Sequence, residues 1–260
     1  MKNAIVTTEA VVLRSMKYLE TSKIVTFYSR RYGKIATIVK GARRSPGKYG
    51  ASLEPMSYDS IVVYRKEGRE LQTLAQCSLL KSFRRLYEDL GRMAVGMTII
   101  ELVSIVAHEE EENAPLFDLI VESLDGVDRL DGNPSNLLYR FIVRLASILG
   151  FHPTFDRCIA CGSPIPGPGD PEAERRFHLS GGGPLCSSCP DAAGKSVSIQ
   201  AEALLALHSL AWSPDVAVAA VSDIASRHRE QIEGLLWAYL RFHVSGMRML
   251  KSGRVFSRIL

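Results

Sequence analysis

Lys23-Ile24-Val25-Thr26-Phe27-Tyr28-Ser29-Arg30, then Arg31-Tyr32-Gly33, then Lys34-Ile35-Ala36-Thr37-Ile38-Val39-Lys40 is the stretch that decides the fold. Its two outer segments are rich in β-branched and aromatic residues. The short piece between them ends in glycine, which takes positive φ at no steric cost. This reads as two strands and a tight turn. Working outward, residues 4–14 carry β-rich residues such as Val6, Val11, Val12 and Leu13. Further strands fall at 60–65 and 70–79, joined by Lys66-Glu67-Gly68-Arg69, a hairpin turn with its glycine in place. Between the third and fourth strands lies Gly41-Ala42-Arg43-Arg44-Ser45-Pro46-Gly47-Lys48-Tyr49-Gly50, where proline and glycines break regular structure. Five short antiparallel strands with one long irregular connection predict a small closed barrel. The oligonucleotide-binding (OB) barrel is the commonest five-stranded one, and an SH3-like barrel would give a similar spacing.

Charge singles out the same region. Residues 1–80 hold 14 Lys+Arg against 6 Asp+Glu, a net of +8, whereas the other 180 residues hold 18 against 22. A basic module on a mildly acidic body is the pattern of a protein that meets an anionic polymer. Arg14, Lys17, Lys34, Lys40, Arg43, Arg44 and Lys48 are the expected DNA-contacting surface, with Tyr49 as a ring on which a base can stack. The bland alternative is a solvated loop whose cations serve solubility.

From Phe83 the periodicity becomes helical. Leu86, Leu90, Met93, Met97 and Ile100 mark a helix that is apolar on most sides, the character of a central core helix. His108-Glu109-Glu110-Glu111-Glu112 departs from the HExxH pattern, and adjacent carboxylates are usually a solvated helix end. Asn113 caps a helix that has Pro115 in its first turn and runs to about residue 124. Asn133-Pro134 opens another, ended by Gly150, and helices follow at 199–212 and from His228 to about residue 250. The tail from Lys251 to Arg258 is basic.

Cys158-Ile159-Ala160-Cys161 and Cys186-Ser187-Ser188-Cys189 contain four of the five cysteines. Two residues between cysteines let both thiolates of a pair reach one ion from a tight turn. Two such pairs complete a tetrahedral sulfur shell, which suits one structural Zn²⁺ with no open coordination position. A redox CxxC would open a helix, which Pro164 and Pro166 oppose. His178 is the alternative ligand between the pairs. The expected organisation is α+β: a barrel over 1–80, a helical domain over 81–151 and 196–260, and a zinc module over 152–195 inserted into it. The role of the Pro/Gly-rich insertion 164–184 is open.

Several chemistries lack their residues. No phosphate loop is present: Gly41 to Lys48 has one residue too many, and Cys189 to Ser196 begins on a cysteine that belongs to the metal set. No GxSxG and no paired acidic motif of a two-metal nuclease occurs. Binding without catalysis is therefore expected. No run of apolar residues reaches membrane-spanning length and no signal peptide is apparent, so a cytoplasmic, nucleoid-associated protein is expected, in keeping with reduced thiols.

Val11-Val12-Leu13-Arg14-Ser15, Thr21-Ser22-Lys23-Ile24-Val25-Thr26, Tyr32-Gly33-Lys34 and Val39-Lys40-Gly41-Ala42-Arg43-Arg44 resemble, in order, the N-terminal barrel of the bacterial recombination mediator RecO. Leu53-Glu54-Pro55, Leu71-Gln72-Thr73-Leu74, Pro115-Leu116-Phe117, residues 145–150 and Cys158-x-x-Cys161-Gly162 are similar to its later segments. The ordered set carries the likeness, over nearly the whole chain; the Pro/Gly insertion departs from it. The resemblance implies a DNA-repair protein that is not an enzyme. Such a protein binds single- and double-stranded DNA, anneals complementary strands and, with RecR, helps load RecA on DNA coated by single-stranded DNA-binding protein. It also implies that the helical body takes that protein's acidic tail, for which Arg140, Arg144 and Arg248 are the candidate cations. A zinc-ribbon sequence-specific regulator and a nucleic-acid-processing enzyme are the alternatives.

Overall fold

A computed structural model describes residues 3–44, 49–109, 111–165, 173–189 and 194–247. The described residues form two compact units, 3–128 and 129–247.

The first unit begins with β1 (Asn3–Tyr18), β2 (Ser22–Ser29), β3 (Gly33–Val39), β4 (Tyr58–Lys66) and β5 (Leu71–Lys81), closed into a barrel in the order β1-β2-β3-β5-β4. This is the strand order of an OB-type barrel. β1 is longer than its alternation suggested because it serves two neighbours. Its first half pairs with β4 from Asn3↔Lys66 to Val11↔Tyr58, and its second half pairs with β2 from Ala10↔Ser29 to Tyr18↔Ser22. An irregularity between Val12 and Arg14 bends it from one partner to the other. Closure corrects the all-antiparallel expectation. β3 and β5 run parallel, through Ala36↔Leu71, Thr37↔Gln72 and Ile38↔Thr73.

Alternate residues of the strands fill the interior, among them Val12, Val25, Phe27, Val39, Ile61 and Val63. Ala42 and Leu53 join them from the long connection between β3 and β4. The irregular connection expected there is anchored at both ends. Arg43 N–H donates to the Thr21 carbonyl at 2.9 Å, Met56 N–H to the Val12 carbonyl at 2.8 Å, and Val12 N–H to the Ser57 carbonyl at 3.0 Å. Leu53 and Met56 take φ of 70° and 68°, unusual for residues with a Cβ, and both are 1 % exposed. Burial of the two side chains offsets the backbone cost.

The helix expected from Phe83 is two: α1 (Arg85–Glu88) and α2 (Leu90–Val106). Asp89, at φ −130°, breaks the run, and its Oδ1 accepts from Arg92 N–H at 2.8 Å as the N-cap of α2. Gly96 lies mid-helix for a steric reason, since a Cβ there would sit 2.5 Å from Met56 Sδ. α3 (Ala114–Arg129) starts as expected, with Asn113 Oδ1 accepting from Leu116 N–H at 3.0 Å, and runs one turn further. Arg30 ties α3 to the barrel. Its guanidinium bonds Glu9 at 2.9 Å and Asp118 at 2.7 Å, and lies 4.6 Å from the Phe117 ring centre.

The second unit contains α4 (Pro134–Ile148), β6 (Glu174–His178), β7 (Gly183–Leu185), β8 (Ser196–Gln200), α5 (Ala201–Trp212), α6 (Val216–Val221) and α7 (Ser226–His243). The three strands form one sheet in the order β7-β6-β8. Ile199, expected in a helix, lies in β8 opposite Arg175. Two buried polar side chains of α4 organise the helices. Asn136 Nδ2 donates to the carbonyls of Ala219, Ala220 and Ser222, and its Oδ1 accepts from Arg229 at 2.9 Å. Arg140, 4 % exposed, donates to the Leu210, Ala211 and Ser213 carbonyls at the end of α5, where the helix dipole favours a cation. The Pro/Gly positions 166–172 and the tail 248–260, with Arg248, lie outside the described residues.

Leu53→Ala is expected to destabilise the first unit by about 2–5 kcal/mol, because it opens a cavity at the barrel mouth and leaves the backbone strain in place. Urea denaturation followed by far-UV circular dichroism checks this, and an unchanged midpoint refutes it. Asp59 provides a pH test. It is fully buried, and its Oδ2 accepts from Ser57 at 2.7 Å. Burial raises its pKa, only partly opposed by hydrogen bonds from Ser57, Ser52 and Cys77. A raised folded-state pKa means that stability is lost as pH climbs from the unfolded carboxyl value of about 4 through the folded one. Asp59→Asn should therefore unfold later than the parent at neutral pH, with the difference shrinking toward pH 4. A difference that grows toward acid would overturn the assigned direction.

Candidate metal centre and nucleic-acid interface

The cysteine cluster is built by two turns. After Cys158, Gly162 N–H returns to the Cys158 carbonyl at 2.8 Å, and Gly162 takes φ +76°, a conformation that glycine adopts at no steric cost. Cys158 N–H in turn bonds the Ser163 carbonyl at 2.8 Å. The second turn closes with Cys189 N–H on the Cys186 carbonyl at 3.3 Å, directly after β7. Ile159 N–H bonds the Pro184 carbonyl at 3.0 Å and so joins the two turns.

The four Sγ atoms lie within 4.8 Å of one another, a group that can hold a metal ion. Cys161 and Cys186 are separated by 3.7 Å. A disulfide would need about 2.05 Å. A tetrahedron with metal–sulfur bonds of about 2.3 Å has sulfur–sulfur edges of about 3.8 Å. Backbone N–H groups also point at sulfur: Cys186 N–H donates to Cys158 Sγ at 3.3 Å. Burial pulls the Cys158 thiol up, but N–H donors from Cys186, Cys161 and Ala160 outweigh it and its pKa falls. The Ser163 hydroxyl, then the Ser163 backbone, lower Cys161 to about 6, while the Cys186 and Cys161 sulfurs push Cys189 up to about 12. Sulfurs this close resist joint ionisation, and a divalent cation removes that conflict. His178 is not in the group. Its Nδ1 accepts from Gly181 N–H at 3.1 Å, away from the sulfur set. Cys77, the fifth cysteine, sits in β5, where burial and then the Asp59 charge raise its pKa to about 12.

The barrel cations divide between its two ends. Lys17 stands opposite Lys23, and Lys23 opposite Val39, which precedes Lys40. Arg43 Nη1 donates to the carbonyls of Leu19 and Glu20 at 3.0 and 2.8 Å, so the connection after β3 meets the β1–β2 turn. Lys17, Lys40, Arg43 and Arg44 are all exposed at this end, and Arg14 is exposed further along β1, opposite Thr26. Tyr49 is half-buried against the barrel core. Lys48 lies outside the described residues. Lys34 sits at the far end of β3, opposite Tyr28, with its ammonium on the Ser104 carbonyl at 3.3 Å. Sequence reasoning passed over Lys23, which bonds Glu54 at 2.8 Å, and over Arg65 and Arg69, which share a small pocket with Lys34. Only the β3–β5 pairing brings those three together, and no local pattern announces it. Of the other cations singled out, Arg144 is half-buried with Nε on the Ala211 carbonyl at 3.2 Å, beside the buried Arg140.

Among the described residues no helix is long and apolar enough to cross a membrane. The family model described as Recombination protein O N terminal matches residues 1–83, and the one described as Recombination protein O C terminal matches residues 87–252. A protein of Chlorobium limicola named DNA repair protein RecO is 33 % identical over 92 % of this chain and 93 % of its own length. One of the same name from Nocardioides is 33 % identical over 94 % and 96 %. One from Salinibacter ruber is 39 % identical over 67 % and 72 %. The two models meet at the end of β5 and follow the order of barrel, then helices and cysteine turns, so the chain belongs to the RecO family of DNA repair proteins.

Proposed function

We propose that this protein is a recombination mediator that makes and breaks no covalent bond. It binds single- and double-stranded DNA on its barrel and anneals complementary strands. With RecR it helps load RecA on DNA coated by single-stranded DNA-binding protein. The observation that carries the reading is the basic OB-type barrel of a RecO family member, with +8 on residues 1–80. Annealing then has a physical basis. A protein that neutralises phosphates on two strands at once removes their repulsion and raises their local concentration. Work inside a cell's cytoplasm, on the nucleoid, follows from such a role.

Lys17, Lys40 and Arg44 supply the phosphate contacts at one end, joined by Arg14 further along β1, by Lys48 of the connection after β3 and by Tyr49 of the same connection. Arg43 has a second duty, since it pins the β1–β2 turn through two carbonyls. Lys34 extends the path to the other end of β3. The helical region, 81–151 with 196–260, receives the acidic tail of single-stranded DNA-binding protein. Arg144 and Arg248 offer it cations, while the buried Arg140 stiffens the end of α5 that Arg144 also bonds. Residues 152–195 form the metal-bearing module.

The ion is zinc, one per chain, on Cys158, Cys161, Cys186 and Cys189. An all-sulfur tetrahedral shell selects it, and four protein ligands leave no coordination position for substrate. Elemental analysis of protein purified without chelator should return about one equivalent of zinc. Cys158→Ser should lower both the zinc content and the unfolding midpoint, the latter by roughly 10 °C. Less than half an equivalent in well-folded protein would end this assignment.

The function itself is tested by annealing of bare and coated complementary strands without ATP. The wild type should accelerate both. Arg44→Ala should slow annealing and flatten the log–log salt dependence of single-strand affinity by about 0.7. The affinity loss should be equal for all sequences, because phosphate contacts carry no base information. Arg43→Ala should do the same and also lower the unfolding midpoint slightly. Salt slopes parallel to wild type in both variants would show that this end of the barrel is not the DNA path.

A further inference from the structure

The pocket between β3 and the β4–β5 turn is lined by Lys34, Arg65, Arg69 and Gln72, together with Glu70 and Glu109. It is a cluster of cations with a carboxylate from a distant part of the chain set among them. Glu109 arrives on the segment that leaves α2. That segment is held to the β2–β3 hairpin through the backbone. Lys34 N–H donates to the His108 carbonyl at 3.2 Å, and Glu109 forms bridges to Gly33 and Lys34. Gly33, at φ +57°, leaves room for the next residues, since a Cβ there would sit 2.4 Å from the Glu111 carbonyl oxygen. Glu111 also acts on Tyr28, whose hydroxyl is pushed up to about 12 by burial first and by the Glu111 charge second. On the cationic side, Arg65 lies 5.0 Å from the Tyr32 ring centre and Arg31 lies 5.8 Å from it. Four cations and one aromatic ring therefore gather at the hairpin end of the barrel; Glu109 lines the pocket with three of those cations, and the Glu111 backbone lies against Gly33 of the same hairpin.

We propose that this pocket binds a phosphate of a nucleic-acid strand and that Glu109, Glu111 and Glu112 form an acidic strap that competes with the phosphate for it. The strap offers the cations a carboxylate in place of the strand's phosphate, at an effective concentration set by its backbone bridges. It weakens this end of the DNA path without closing it, so a strand must displace the strap to engage both ends of β3. A strand that reaches only the Arg44 end is released more readily. The inference rests on the DNA-binding reading of the barrel.

The test compares single-strand affinity of the full-length wild type, Glu109→Gln/Glu111→Gln/Glu112→Gln, Arg65→Ala/Arg69→Ala, and the five-fold combination, from low to moderate salt. The triple variant should bind roughly three- to tenfold more tightly at low salt, the scale of a few exposed charge interactions. Its salt slope should steepen by about 0.7 for each additional phosphate that the freed cations neutralise. The tighter binding should vanish when Arg65 and Arg69 are also removed. A matched variant, Glu174→Gln/Asp223→Asn/Glu230→Gln, changes net charge equally in the other unit and should show no steepening. A triple variant that binds like wild type overturns the strap. So does tighter binding that survives loss of the two arginines or is reproduced by the matched variant, because it then reports net charge alone. Wild-type protein that binds no DNA would instead remove the reading on which the inference rests. Thermal melts of each variant confirm that affinities are compared between folded proteins.

Discussion

Three parallel residue pairs between β3 and β5 close the barrel, and most of what surrounds it follows from that closure. Antiparallel neighbours join through short turns, but β3 cannot reach a parallel partner that way. The chain must first leave the end of β3, travel to β4 and return along β5. The connection before β4 is therefore long, and a long connection at the mouth of a barrel would flood the core unless part of it turned inward. Ala42 and Leu53 do so. The left-handed conformations of Leu53 and Met56 are the geometric cost of aiming side chains inward from an irregular path. Met56 then reaches Gly96 of α2, so the plug of the barrel also seats the first long helix.

Much of this architecture was legible in the residues, for reasons that are local. Alternation marked the strands, and Gly33 and Gly68 marked the turns with the positive φ values they adopt. Asn113 and Asn133 marked the starts of α3 and α4 through side-chain caps that need only the next two or three residues. What escaped was set by distant neighbours. Asp89 breaks an apolar helical run by capping, a competition that periodicity alone ranks the wrong way. Ile199 is followed by a helix-forming stretch, yet pairing with β6 makes it strand. The parallel β3–β5 contact, and with it the Lys34, Arg65 and Arg69 grouping, depends on closure of the whole barrel.

The cysteine turns show the opposite case, where spacing alone was informative. Two residues between cysteines fix each pair, so sequence specifies half of the geometry twice over. The fold supplies only the meeting of the two turns, through the Ile159 to Pro184 backbone bond and the sheet that carries β7. The sulfur separation of 3.7 Å fits metal coordination better than it fits a covalent bridge. DNA-binding cations are harder to read because a solvated lysine and a phosphate-contacting lysine look alike in sequence. Arg140 makes the point: its charge lies inside the helical unit, on the last carbonyls of α5.

Asn136 has a consequence for the order in which the protein is made. Among the described residues its amide bonds the carbonyls of Ala219, Ala220 and Ser222 and the Arg229 guanidinium, the last of these 93 positions later. At synthesis rates of about 5–20 residues per second, that partner emerges roughly 5 to 20 s after Asn136 itself. The barrel has all five strands by Lys81 and waits for nothing comparable. A nascent chain thus holds all five barrel strands while the Asn136 side chain of α4 still lacks its native partners. During that interval α4 lacks the bonds that fix it to the later helices, whereas every strand pairing of the barrel has both partners in the chain.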